Sequence, residues 1–327
     1  MKLPFDLTMA IESVATNSSL SMIRNEAKKL TNIYSEQNGK GNRLVTTTAQ
    51  VLAYQIARMP ATFGASLAAL QHTLHHVKLI PESMIDVGAG TGAAAWAANE
   101  VYDLKTITCL ERETAMIAAG QHLMKDAGAR LRAASWLNHD LVRSNMDIKA
   151  DLVMASYVLN ELKPGDRLSV LRKIWDATSQ VLIVVCPGTP TDYQKMIEIR
   201  DMILKFEEAS IVAPCPHSGP CLMALDDWCH FKTRIPRSRF HKYVKSGEVP
   251  YEDEKFTYMS IGRTSTKQTN ARILRHPQTN RNSISLTVCT PSKIAIVDIS
   301  KSDKLLYKAA KKAKCGDSIE LPEKYID

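Results

Sequence analysis

Apolar positions recur at helical spacing through the first 75 residues. In SLSMIRNEAKKLTNIYSEQ, Leu20, Ile23, Leu30 and Ile33 fall close to a 3.6-residue period. TTTAQVLAYQIARMPATFG continues that pattern, and Pro60 predicts a helix break. The period then changes. Met84–Val87, KTITCLERE ending at Glu111, LRAASWLNHDL ending at Asp140, ADLVMASYVLNEL and SQVLIVVCPGTP read as successive strands. Helical stretches lie between them, such as Gly165–Ser179, and another runs from about Thr191 to Ala209. Strands alternating with helices predict an α/β protein with a parallel, doubly wound sheet. EKFTYMSIGR, NSISLTVCTPS and KIAIVDIS read as later strands, and LLYKAAKKAK as a basic helix before an extended end. The predicted organisation is a helical N-terminal region over 1–78 and a Rossmann-like core over 79–209. A cysteine-rich insertion over 210–254 follows, then C-terminal strands over 255–327 that complete the sheet and end in a basic tail.

The chain has 327 residues, 45% of them hydrophobic, which suffices for a sizeable core. No apolar run reaches the length of a membrane span. Met1–Asn17 lacks the basic and apolar regions of a secretory signal. These features lead to the expectation of a cytoplasmic monomer with no membrane association. Seven cysteines in a reducing compartment point to metal ligation rather than a disulfide scaffold. Net charge is +8 but uneven: Lys232–Lys314 carries 19 Lys or Arg against 6 Asp or Glu. A basic C-terminal third is the footprint of a polyanion-binding protein, or else a solvated lysine-rich face.

DVGAGTG, Asp86–Gly92, carries the first chemistry. It follows a strand and precedes an Ala-rich helix. Glycines there let the backbone turn sharply and approach a ligand. Glu111, about 20 residues on, is placed to bind ribose hydroxyls. The spacing differs from G-x-G-x-x-G and resembles motif I of class I S-adenosylmethionine-dependent methyltransferases. That resemblance implies cofactor contacts from Asp86, Gly88, Gly90, Gly92 and Glu111, with Asp140 at the adenine amino group. A helix N-cap is an almost equal reading of Asp140. After the fourth strand, where base-modifying amino-methyltransferases carry Asn/Asp-Pro-Pro-aromatic, this chain has SYVLNEL. Asn160 and Glu161 there can hydrogen-bond a substrate or cap locally, so no catalytic residue is assigned.

Cys215, Cys221 and Cys229 crowd APCPHSGPCLMALDDWCHF, where Pro, Gly and Ser read as loop. A four-ligand site needs one more. Cys289 is chosen because the last strand of a class I sheet runs antiparallel between the fifth and sixth and would end near the cysteine loop. Cys109 and Cys315 are expected to be free thiols, although Cys315 could compete. Four thiolates suit zinc or an iron–sulfur cluster.

VAPCPHSGPC, DWCHF, RIPRSRFH, VPYEDEKFTYM, ARILRHP and VCTP together resemble the small-ribosomal-subunit-associated methyltransferase-like family, over roughly Gln50–Asp317. The resemblance implies a class I methyltransferase fold. It also implies a [4Fe-4S] cluster on Cys215, Cys221, Cys229 and Cys289, and association with the small ribosomal subunit during assembly. The chain departs from the family at Cys186, where an acidic residue is common before Pro-Gly-Thr-Pro, and at Cys315, where an aromatic is common.

FKTRIPRSRFHKYVK interleaves Lys232, Arg234, Arg237, Arg239, Lys242 and Lys245 with aromatics. Cations meet RNA phosphates and aromatics stack on unpaired bases. The stretch itself holds no acid, since Glu252, Asp253 and Glu254 come later, and the segment is expected to present free charge to ribosomal RNA. Two readings follow: an RNA methyltransferase acting on small-subunit ribosomal RNA, or a non-catalytic assembly factor on the same fold.

Overall fold

The computed structural model describes residues 1–37, 40–74, 80–224, 226–264 and 269–326. The expected domain boundary at 78/79 lies outside the described residues. Four helices come first: α1 (Phe5–Thr16), α2 (Leu20–Gln37), α3 (Thr48–Ala57) and α4 (Met59–Leu74). A capping box starts α3: Thr47 accepts the Gln50 N–H, and the Gln50 side chain accepts the Thr47 N–H. The break near Pro60 falls at Arg58, with Pro60 inside the first turn of α4.

The core alternates as expected: β1 (Ser83–Val87), α5 (Ala93–Asn99), β2 (Thr106–Glu111), α6 (Thr114–Met124), α7 (Ala129–Arg132), β3 (Ser135–Asn138), β4 (Ala150–Ser156), α8 (Pro164–Asp176), β5 (Thr178–Pro187) and α9 (Pro190–Ile203). β3 stops two residues short of Asp140, whose carboxylate takes the Val142 and Arg143 N–H groups and turns the chain. Next come β6 (Ser210–Ala213), β7 (Phe231–Pro236), α10 (Arg239–Lys245) and β8 (Tyr251–Gly262). The sheet runs β3-β2-β1-β4-β5-β8-β6, with β7 also on β8. β1 to β5 are parallel, and β8 enters antiparallel between β5 and β6.

The expectation that all later strands complete this sheet is corrected. Only β8 does so. β9 (Ala271–Ile273), β10 (Gln278–Thr279), β11 (Ser283–Cys289), β12 (Ile294–Ser300) and β13 (Ser318–Ile319) form a second sheet, with α11 (Lys304–Lys312) packed on β11 and β12. Its strands alternate, so Ile284, Leu286, Val288, Val297 and Ile299 face a core of their own. With inward residues on one side only, β11 buries a single face, unlike the central strands of the first sheet, which are buried on both.

Candidate functional site

β1 delivers the chain into the glycine loop. Gly88 and Gly90 adopt φ of +64° and +56°, the left-handed region that side chains resist. A Cβ on Gly88 would come within 2.5 Å of Val158. The Gly90 N–H donates to Glu111 Oε2 at 2.8 Å, and the Glu113 N–H to Glu111 Oε1 at 2.9 Å. Burial raises the Glu111 pKa, and these backbone N–H groups oppose the rise.

Loop and carboxylate open into a cavity of about 750 Å³, within the range of small-molecule sites. Gly88, Gly90, Glu111 and Asp140 line it. Asp86 lies beneath the loop, 1% exposed, where it accepts the Ala95 N–H at 3.1 Å. Burial pushes its pKa up to about 7. Gly92 packs under the loop against Met124 and Trp136. Asp140 borders the cavity while one of its oxygens holds a turn, and the helix N-cap reading is corrected because no helix follows it before β4. The donor set fits a nucleoside ligand: a buried acid at the end of β2 beside exposed loop backbone.

The sequence alone did not reveal the cavity's other walls. α2 and α3 close it with Tyr34, Tyr54 and Arg58. The segment before α3 is tied down by Arg43, which forks onto Glu113 at 2.6 Å, and by the Gly41 N–H on the Glu161 carbonyl. Beyond β4, Tyr157 turns with φ +59° and donates to Glu254 at 2.9 Å, while Arg58 lies 3.6 Å from the same carboxylate. A short 3₁₀ turn, Leu159–Glu161, then brings Glu161 to the cavity. Burial, reinforced by Glu111, raises its pKa to about 8. The signal for Glu161 was its place after the fourth strand; the roofing tyrosines had no motif to mark them.

The cysteines gather from two sheets. Cys215 follows β6, Cys221 lies in the loop, Cys229 precedes β7, and Cys289 ends β11. The strand argument for Cys289 is corrected, because the antiparallel strand of the first sheet is β8, which has no cysteine. Cys289 arrives from the second sheet, where it pairs with Arg272. Arg272 is buried and donates to the Pro214 carbonyl at 2.7 Å, fastening that sheet to the loop. Burial and then the neighbouring Cys215 and Cys221 push the Cys289 thiol up to about 12. Burial and then Cys215, Cys221, Cys289 and Cys315 raise Cys229. All four expected ligands therefore share one neighbourhood, and Cys315 borders it with its thiol on the Leu274 carbonyl. Among the described residues, no three His, Cys, Asp or Glu side chains stand together as a metal-binding group. Cys109 is wholly buried in β2 and Cys186 in β5.

The expectation of free charge on residues 232–245 is corrected. β7 pairs antiparallel with β8, so acids distant in sequence come directly opposite. Arg234 forks onto Asp253 at 2.7 and 2.9 Å, and Lys232 joins at 2.9 Å. Glu252 takes Arg237 at 3.5 Å, His241 at 2.9 Å and Lys245. Arg239 and Lys242 sit on α10 outside these pairs. Arg237 precedes that helix and Arg239 begins it.

Strand order and glycine loop together define a class I S-adenosylmethionine-dependent methyltransferase fold. The chain belongs to the mitochondrial small ribosomal subunit Rsm22 family, whose profile matches residues 48–320. The human ribosome assembly protein METTL17, mitochondrial, is 25% identical over 290 residues, covering 81% of this chain and 61% of the relative. The Rsm22-cox11 tandem protein 2, mitochondrial, of Schizosaccharomyces pombe is 25% identical over 85% of this chain and 44% of its own length. The chain thus spans about half to three-fifths of these relatives. Magnesium protoporphyrin IX methyltransferase from Synechocystis, with bound S-adenosylhomocysteine, aligns at TM-score 0.42 and 14% identity, covering 79% of this chain and 100% of that one. Among the described residues, no helix is long and apolar enough to cross a membrane.

Proposed function

We propose that the protein binds S-adenosylmethionine in the β1–β2 cavity and works on small-subunit ribosomal RNA during ribosome assembly. The observation that carries the cofactor is the Glu111 carboxylate beside the left-handed Gly90, at the mouth of a 750 Å³ cavity. Family membership and the names of the relatives support the ribosomal setting. Glu111 would hold the ribose, the Gly88–Gly90 backbone would pass under the ligand, and Asp140 would face the adenine.

When bound, the cofactor supplies an electrophilic methyl group. This chain's contribution is positional. Tyr34, Tyr54 and Arg58 roof the cavity and exclude water. Glu161 enters with its proton retained at neutral pH, so it can donate a hydrogen bond to a substrate and, as pH rises toward 8, accept a proton from one.

One observation favours a non-catalytic assembly factor instead. The turn after β4 has no proline pair, and Tyr157 spends its hydroxyl on Glu254. Mass-spectrometric comparison of small-subunit ribosomal RNA with and without the gene separates the readings. A lost methyl group supports the enzyme. Unchanged modification together with a small-subunit assembly defect supports the factor.

We also propose that Cys215, Cys221, Cys229 and Cys289 hold a four-thiolate centre, a [4Fe-4S] cluster or alternatively zinc. The mutual electrostatic influence of Cys215, Cys221, Cys229 and Cys289 across the two sheets supports it. Such a centre would staple the second sheet to the first.

A further inference from the structure

Lys232, Arg234, Arg237 and Lys245 are spent on acids of β8, and the second sheet with α11 carries further cations. From Ala271 to Leu321 there are ten Lys or Arg against four Asp or Glu. Three of those acids are engaged away from any cation. Asp298 accepts the Ser285 hydroxyl, Asp303 caps α11 through the Leu306 N–H, and Asp317 accepts the Lys314 N–H.

The lysines are the reverse. Lys304, Lys308, Lys311 and Lys312 are exposed, and none makes an ion pair among the described residues. At 100° per residue they fall within one arc of about 100°. Ala310 is buried on the opposite side, with Leu306, Tyr307 and Ala313 packed against the second core. Helix formation and lysine presentation thus follow from one pattern: the apolar stripe locks α11 onto β11 and β12 and leaves the cationic stripe outward. Lys301 and Arg281 extend the patch past the helix start, where the Lys301 ammonium donates to the Arg281 carbonyl at 2.5 Å.

We infer that this lysine face of α11 docks RNA through its phosphates. The inference rests on the proposed ribosomal role and names the surface that serves it. The chemistry of the face selects the partner. Lysine is depleted in protein–protein interfaces, which centre on buried aromatic or aliphatic anchors. The one large apolar side chain exposed on this helix is Leu305, at the edge of the arc. A membrane surface would need a free apolar face, and that of α11 is spent on the sheet. Lys304 to Lys311 rise about 10 Å along the axis, roughly three phosphate steps of one strand at about 3.4 Å each.

The test is fluorescence anisotropy of a labelled small-subunit ribosomal RNA transcript with the full chain, across a salt series. The quadruple variant Lys304→Gln, Lys308→Gln, Lys311→Gln, Lys312→Gln keeps good helix formers at exposed positions. It should bind more weakly and flatten the logarithmic salt slope by about three units, at roughly 0.7–0.9 for each phosphate no longer neutralised. Lys232→Gln with Arg234→Gln should leave the slope unchanged. Calorimetry with S-adenosylmethionine should match the parent, showing an intact core. RNA binding by the parent with the same slope in the quadruple variant overturns the α11 assignment and leaves the ribosomal reading standing. No RNA binding by the parent overturns both. Tighter binding to polyglutamate than to RNA, lost in the quadruple variant, assigns the face to an acidic protein and overturns the RNA inference.

Discussion

The Tyr193 hydroxyl lies 3.0 Å from the Cys221 sulfur. Tyr193 sits on α9, whose first two turns line the cavity through Thr191, Asp192 and Lys195. Two turns on, buried Arg200 donates to the His217 carbonyl at 3.3 Å and to that of Gly219. Trp228 Nε1 donates to the Gly188 carbonyl at 3.0 Å, just before the same helix. One helix is therefore a wall of the cavity on one side and an anchor for the cysteine loop on the other.

Tyr193→Phe combined with Trp228→Phe removes two of these ties, each worth about 1 kcal/mol net. S-adenosylmethionine affinity by calorimetry should fall several-fold, although neither side chain is needed as a ligand. Affinity equal to the parent's would show that the loop and the cavity are independent.

Gly90→Val places a β-branched residue at φ +56°, at a cost of about 1–2 kcal/mol in backbone conformation alone. It also puts side-chain atoms where the ligand would meet the main chain. Cofactor binding should fall at least about tenfold while the circular dichroism spectrum stays that of the parent. Gly128→Ala, where an added Cβ meets nothing within 4 Å, should bind normally.

Arg234, then Lys232, hold the Asp253 pKa down at about 2. Burial would raise Glu252, but hydrogen bonds from His241 and Lys245 outweigh it and bring it also to about 2. A depressed carboxylate contributes stability that is present above its unfolded pKa, near 4, and is lost as pH falls toward 2. The thermal unfolding temperature of the parent should therefore fall between about pH 5 and 2. Glu252→Gln should be less stable at pH 7 by about 1–3 kcal/mol, because partly buried cations lose their acceptor, and should lose less on acidification. Parallel pH profiles for parent and variant would contradict this assignment.

Metal content offers a fourth check. Ser in place of Cys215, Cys221, Cys229 or Cys289 should abolish bound iron in anaerobically purified protein, and Cys109→Ser and Cys315→Ser should not. Colourless protein with stoichiometric zinc would replace the cluster with the alternative metal. Cys315→Ser is the sharper control, because that thiol borders the site.

The doubly wound core was readable because its strands are short apolar runs ending at Val87, Glu111 and Pro187, each followed by helical spacing. The glycine loop was readable because Gly88 and Gly90 meet a backbone demand that composition records. What escaped was pairing across long loops. β8 returns Glu252 and Asp253 opposite Ile235 and Arg234, and no local pattern announces that register. β11 reads as an ordinary alternating strand, and periodicity cannot say which sheet it joins. Cys289 was therefore assigned to the cysteine loop through the wrong strand. Glu161 was visible as a polar residue after β4, but its burial depends on Gly41 and α2 closing over it.

The central claim is that this chain combines a cofactor cavity with small-subunit ribosomal RNA. The most direct measurement is sucrose-gradient sedimentation of the tagged protein from cells, with RNA sequencing of the fractions that contain it. The account predicts co-sedimentation with precursors of the small subunit and enrichment of small-subunit ribosomal RNA in the purified complex. Protein found only at the top of the gradient, with no enrichment of that RNA, would contradict it.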